Sequence, residues 1–172
     1  QTFYDWTVEA ELPPSGELTL VEGLMRSCNP YFWHIGIDLF NQGHPTALPD
    51  MAKAFGLGKP TGVEIFESSG LVPDPEWKQQ STGTDWAKED SMQLAIGQSA
   101  LQVTALQVAR FVAAIGNGGT LYQLQLVERI QNAEGLVSHQ FEPVAQSELP
   151  VSDETLAAIQ QGMGQVVSEP RG

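Results

Sequence analysis

Cysteine is almost missing from this 172-residue chain, where Cys28 is the only one. A single thiol makes no intrachain disulfide and no Cys-based zinc cluster, and it leaves the compartment open. Basic residues are scarce as well, with 8 Lys and Arg against 21 Asp and Glu and a formal net charge of -13. DNA, RNA and anionic lipid are bound through clustered Lys and Arg that neutralise phosphate, so nucleic acid is not an expected partner. The acids do not form a tail. Residues 1–86 hold 12 acids and 4 bases, and residues 87–172 hold 9 and 4, a diffuse solvated surface. Long apolar runs are also lacking. The longest uncharged stretch, Ser91 to Ala109, contains Gln93, Gln98, Gln102, Thr104 and Gln107, which are costly in hydrocarbon, so no transmembrane helix is expected. Gln1 to Glu11 has neither a basic region nor an apolar core and does not read as a signal peptide. His34, His44 and His139 are too scattered for a metal motif, and the glycine pairs form no phosphate loop. No metal or cofactor is expected.

What remains is the composition of one ordinary domain, or part of a larger one, with 41% hydrophobic residues. The 17 Gly and 11 Pro exceed the average without approaching low complexity. Residues 1–17 read as an irregular lead-in with a turn cluster at Pro13, Pro14, Ser15 and Gly16. Thr19 and Glu22 have the spacing of a capping box, and Leu20, Val21, Leu24, Met25 and Cys28 recur at helical intervals, predicting a helix that stops near Ser27. Asn29-Pro30 reads as an Asn cap with Pro at the first helical position, opening a second helix whose stripe is Tyr31, Phe32, Ile35, Leu39 and Phe40.

A third, short helix is expected over Thr46 to Phe55. A long Gly- and Pro-bearing segment follows to about Lys88, with a brief strand at Val63 to Ile65. Thr104 and Gln107 repeat the capping box ahead of a helix to Gly116 that is apolar nearly all round, the pattern of a helix in the middle of a domain. Leu121 to Ile130 and Leu136 to Phe141 flank a turn at Asn132 to Gly135 and suggest a hairpin. Ser152 caps a last helix carrying Leu156, Ile159 and Met163 on one face.

The chemistry-bearing candidate is the break Ser27-Cys28-Asn29. In an extended turn, residues two apart point the same way while the middle one points oppositely, which sets a hydroxyl beside an amide. The hydroxyl can pass a proton, and the amide can donate to a substrate carbonyl while its oxygen accepts from an ammonium. Helix capping by Asn29 and satisfaction of a stray carbonyl by Ser27 are the alternative uses of the same residues. A thiol site pairing Cys28 with His34 has no reason to converge across a helix start, and a lone Cys on an apolar stripe is more often core.

The surroundings of the triplet carry a resemblance. LTLVEGLMRSCNPYFWHIG, from Leu18 to Gly36, resembles the segment of bacterial penicillin-binding proteins that holds their Ser-x-Asn motif. AFGLGKPTGVEIFESSGLVPDPEW, from Ala54 to Trp77, resembles the family's glycine-rich segment. AIGQSALQVTALQVARFVAAIGNGG, from Ala95 to Gly119, resembles its central helix and lead-in, and Ser152 to Gly172 resembles the helix before the last catalytic strand. Ser99 stands where the family commonly has glycine and Ala105 where it has proline. Tyr4, Asp5 and Trp6 favour the monofunctional class B transpeptidases that cross-link peptidoglycan.

Catalysis in the family needs Ser-x-x-Lys with the acylated nucleophile, Ser-x-Asn, and a Lys-Thr-Gly strand. Residues three before Lys53, Lys59, Lys78 and Lys88 are Asp50, Gly56, Pro75 and Asp85, so no Ser-x-x-Lys is present, and Lys59-Pro60-Thr61-Gly62 is only a near miss for Lys-Thr-Gly. The resemblance therefore implies an incomplete transpeptidase domain over residues 1–172, lying between the two missing motifs. Its fold would be α+β, a partial serine transpeptidase and β-lactamase-like fold, mostly the helical subdomain with a peripheral hairpin and one sheet-facing surface left bare.

By resemblance, Ser27 relays a proton to the leaving amine and Asn29 holds the donor peptide and the nucleophile's lysine. The implied partners are the D-Ala-D-Ala stem peptide, β-lactams, the remainder of the domain and other cell-wall synthesis proteins. The implied location is the extracytoplasmic, periplasmic face of the inner membrane, with an anchor helix upstream of this chain. The chain alone is expected to be inactive. Two other readings stand beside it: a split or non-catalytic peptide-binding module, and a β-lactamase or β-lactam-sensor relative. The stop at Gly172 before any closing element favours the transpeptidase segment.

Overall fold

The computed structural model describes residues 4–170. The Thr19 capping box forms as expected. Glu22 N–H donates to the Thr19 hydroxyl at 3.3 Å and the Thr19 N–H donates to the Glu22 carboxylate at 2.8 Å, starting a helix at Leu20–Met25. A one-turn helix, Trp6–Glu9, lies ahead of it, inside the lead-in read as irregular. In chain order these are α1 and α2. They are followed by α3 (Asn29–Asn41), α4 (Ala47–Ala54), α5 (Pro75–Thr82), α6 (Lys88–Leu94) and α7 (Ala105–Gly116). The strands β1 (Thr120–Tyr122), β2 (Arg129–Gln131), β3 (Val137–Gln140) and β4 (Ala145–Glu148) precede α8 (Asp153–Ser168).

β2 and β3 form a hairpin across the expected turn, antiparallel with Ile130 opposite His139, but the expected first strand, Leu121 to Ile130, is interrupted, and its start, in β1, pairs with β4 instead. A second ladder, β1 with β4, encloses it. The class is α+β, as expected. No helix among the described residues is long and apolar enough to cross a membrane.

Other expectations fail. Asn29 does not cap α3: the N-cap residue is Cys28, extended at φ -78° and ψ 99°, and Asn29 is already helical. Val63 to Ile65 is not a strand: no described strand pairs with it, and the Val63 N–H is turned to the Glu67 carboxylate. The segment to Lys88 is not a continuous loop either. Asp74 accepts the Trp77 N–H at 2.8 Å with Pro75 at the first position, the start of α5, and the Asp90 carboxylate reaches back to the Ala87 N–H at 2.7 Å to start α6.

The core gathers Ala114, Ile115, Leu121, Leu149 and Leu156, with Phe55, Phe111, Val151 and Ile159 packed against it. α7 supplies one side of this core, and its Arg110 is buried, donating to the Tyr122 carbonyl at 2.6 Å and to Gln146 to hold β1 and β4. The central position expected of α7 is only half met. Val108, Ala109, Val112 and Ala113 lie open on its other face, uncovered by any described element.

The glycine-rich segment is tied to α7 through Gln107. Its buried amide donates to the carbonyls of Lys59 and Ser69, both at 2.8 Å, while its oxygen accepts the Thr104 N–H at 3.0 Å. Leu71 and Gln102 pair antiparallel beside it. Gly70, at φ 63°, is required there, since a Cβ would stand 2.3 Å from the Gln102 carbonyl oxygen. Ser99 sits at φ 71°, a left-handed conformation that glycine adopts without strain. Ala105, where the family has proline, is the first residue of α7, a place where proline's missing N–H costs nothing.

Glu67 clasps the same segment, accepting from the Thr61 hydroxyl and the Gly62 N–H at 2.8 Å each. Desolvation pushes its carboxyl up, but bonds from Thr61, Gly62 and Val63 outweigh that and hold it below the usual carboxylate range. A folded value below the unfolded one means the clasp contributes above the unfolded value and is lost as pH falls through the folded one. Amide exchange at Gly62, corrected for its intrinsic rate, is therefore expected to accelerate on acidification below the usual carboxylate range. Glu67→Gln should exchange faster at neutral pH and show no such acid step. Exchange that is insensitive to both changes would mean Glu67 does not hold the loop.

Candidate functional site

α2 ends in a Schellman motif, and that motif builds the site. Arg26 is the C-cap, the Ser27 N–H donates to the Leu24 carbonyl at 3.1 Å, and the Cys28 N–H donates to the Gly23 carbonyl at 3.0 Å. This pattern needs a left-handed residue in the first position after the cap, usually glycine. Ser27 fills it at φ 49°. Holding a residue with a Cβ there costs about 1 kcal/mol, so Ser27 is strained where glycine would be at ease. Strain at an exposed polar residue is a pointer to use, read from the observed outlier.

The corner is not the fully extended turn expected from alternation, because only Cys28 is extended. The three residues nonetheless part company in burial. Ser27 is exposed, Asn29 is half-buried, and Cys28 is 5% exposed. Cys28 borders two clefts of about 490 and 430 Å³ that it shares with Gly16 and Pro30, so its thiol side is turned to the leading segment. His34 borders the first of these clefts and is exposed.

Among the described residues, neither the Ser27 hydroxyl nor the Asn29 amide is engaged in a hydrogen bond. Neither side chain is spent on capping, and both remain available to a ligand. A further open cleft of about 790 Å³ runs between α2 and α8, from Thr19 to Met25 on one wall with Gln161 and Gln165 on the other. Among the described residues no group of three or more His, Cys, Asp or Glu side chains is placed to hold a metal.

The corner is braced by the leading segment. The Trp6 indole donates to the Arg26 carbonyl at 3.1 Å, and the Arg26 guanidinium carbon lies 5.8 Å from the centroid of the same ring. Arg26 is buried and donates through Nε to the Ser15 hydroxyl at 3.2 Å. Sequence reasoning missed these supports. Trp6 and Arg26 are twenty residues apart, and no periodic pattern connects them.

The arrangement of these elements is shared with known proteins. The family model described as the penicillin binding protein transpeptidase domain matches residues 1–172. The chain belongs to this family. Peptidoglycan D,D-transpeptidase MrdA of Acinetobacter baumannii is 33% identical over 123 residues, which are 69% of this chain and 16% of that protein. A solved chain from a peptidoglycan synthase complex superposes with TM-score 0.77 at 29% identity, covering 98% of this chain and 26% of the other. PBP2 of Pseudomonas aeruginosa superposes with TM-score 0.74 at 27% identity, covering 90% and 34%. This transpeptidase-domain chain thus spans 16% of the length of the MrdA relative and between 26% and 34% of these two solved chains. Its fold is that of the penicillin-binding-protein transpeptidase domain.

Proposed function

We propose that this chain is the central segment of a peptidoglycan D,D-transpeptidase of class B. In the complete protein it would lie between a Ser-x-x-Lys helix upstream and a Lys-Thr-Gly strand downstream. The observation that carries the reading is a family match over the whole chain combined with an unengaged hydroxyl and amide, Ser27 and Asn29, at the Ser-x-Asn position.

The chemistry is acyl transfer. An upstream serine attacks the carbonyl between the two D-Ala residues of a stem peptide, the peptide bond breaks, and the terminal D-Ala leaves as an amine that must gain a proton. In this reading Ser27 relays that proton, and Asn29 holds the donor amide and the nucleophile's lysine. The activated serine and the oxyanion hole come from the two motifs this chain lacks, so the chain alone is inactive. β-Lactams would occupy the same donor position. The complete protein works on the extracytoplasmic face of the bacterial inner membrane, held by an upstream anchor and joined to other cell-wall synthesis proteins.

Labelled penicillin tests the reading. The full-length protein is expected to take one stable adduct on its upstream serine, seen by intact mass, and residues 1–172 alone to take none. Rapid hydrolysis of penicillin without a lasting adduct would make the protein a β-lactamase instead. Stop and start codons at the present ends of the chain would leave a non-catalytic peptide-binding module.

A further inference from the structure

We propose that Trp6 is a positioning residue, which sets the Ser27 hydroxyl for proton relay by fixing the Arg26–Ser27 peptide group from outside the helix. The inference rests on the reading of Ser27 given above.

The peptide group between Arg26 and Ser27 is held at both edges. Its N–H is held inside the turn, donating to the Leu24 carbonyl at 3.1 Å. Its C=O is one of the last carbonyls of α2, which have no partner within the helix, and it accepts from the Trp6 indole at 3.1 Å. Turning this peptide plane changes ψ of Arg26 and φ of Ser27 together. Such a turn would swing Ser27 relative to Asn29, whose backbone belongs to α3.

The left-handed φ of Ser27 is a strained state for a residue with a Cβ, so it persists only where neighbours over-determine it. Trp6 is in turn restrained, since the guanidinium of Arg26 lies over its ring and that guanidinium is fixed on Ser15. The leading segment therefore reaches across twenty residues to the one peptide whose orientation aims the hydroxyl.

The experiment uses full-length protein and a fluorescent penicillin under single-turnover conditions. Trp6→Phe retains an aromatic ring beneath Arg26 but has no N–H to donate. It is expected to lower the acylation rate constant about tenfold, the effect of one lost hydrogen bond, with the half-saturating penicillin concentration little changed. In a Ser27→Gly background, Trp6→Phe should have no further effect, because there is no hydroxyl left to aim.

An unchanged rate in Trp6→Phe, with Ser27→Gly slow, overturns this inference alone. So does the same tenfold loss in the Ser27→Gly background, since the indole would then act through something other than Ser27. Normal acylation by Ser27→Gly overturns the reading of Ser27 itself and this inference with it. Should Trp6→Phe fail to fold, benzothienylalanine at position 6, which carries sulfur in place of the N–H in the same ring shape, puts the question to the same assay.

Discussion

Replacing Ser27 with glycine in the full-length protein is expected to slow acylation by penicillin about 100-fold or more while leaving the protein as stable or more so. The two effects have separate origins. The rate loss follows from the proposed relay role of Ser27, since removing a positioned proton-transfer group typically costs about 10²–10⁴-fold. The stability gain, about 1 kcal/mol, follows from placing glycine at a left-handed position that Ser27 now occupies at φ 49°.

Ser27→Ala separates them further, since it deletes the hydroxyl and retains the Cβ. It should be as slow as the glycine variant without the stabilisation. Asn29→Ala should likewise impair acylation with little change in melting temperature, because the Asn29 amide caps nothing in α3. Rapid-mixing acylation and thermal melts on the same preparations decide the matter. Variants that acylate normally would place the proton relay elsewhere, and variants that unfold would return both residues to a structural role.

The second large effect is on stability. Gly36 lies in the middle of α3 where that helix crosses α6, and a Cβ there would stand 2.5 Å from the Ser91 carbonyl oxygen and 2.9 Å from its carbon. These are backbone atoms, so no rotamer change relieves the clash. The Ser91 carbonyl also accepts the Ala95 N–H at 3.0 Å, and the Ser91 hydroxyl accepts from the Trp86 indole at 2.8 Å. Moving it disturbs α6 as well. Gly36→Ala is expected to cost about 3 kcal/mol, the upper end for overpacking a close contact, as read by chemical denaturation of the full-length protein. Acylation should fall with it, because α3 begins at Asn29 and a displaced α3 carries that residue along. A loss below about 1 kcal/mol would mean the two helices can separate freely, contrary to the tight crossing.

How far the chain could be read in advance depended on whether a signal was local. The capping boxes at Thr19 and Thr104, the Ser152 cap and the turn at Asn132 to Gly135 each place their element correctly, because donor and acceptor lie within four residues of each other. Asp74-Pro75 carried a start signal of the same kind for α5, overlooked inside a stretch dominated by Gly and Pro. α6 has Ala87 at its N-cap, with no side-chain acceptor there to mark it, and was not legible. The reading of Asn29 as a cap failed because Cys28, the last residue of the Schellman turn of α2, is also the N-cap of α3, so the helix begins one residue earlier than an Asn29 cap requires.

Sequence alone was enough to identify the penicillin-binding-protein transpeptidase family and to point to Ser27 and Asn29 as the residues proposed here to carry the chemistry. Motif order along a chain is a one-dimensional property, and so is the absence of Ser-x-x-Lys and Lys-Thr-Gly between residues 1 and 172. The tertiary structure was needed to learn that Cys28 faces the leading segment and that Trp6 holds the Arg26 carbonyl. It alone also decided that α7 is covered on one face and open on the other. Those facts depend on groups far apart in sequence meeting in space, and neither hydrophobic period nor capping chemistry encodes which distant side chain satisfies an orphan carbonyl at the end of a helix.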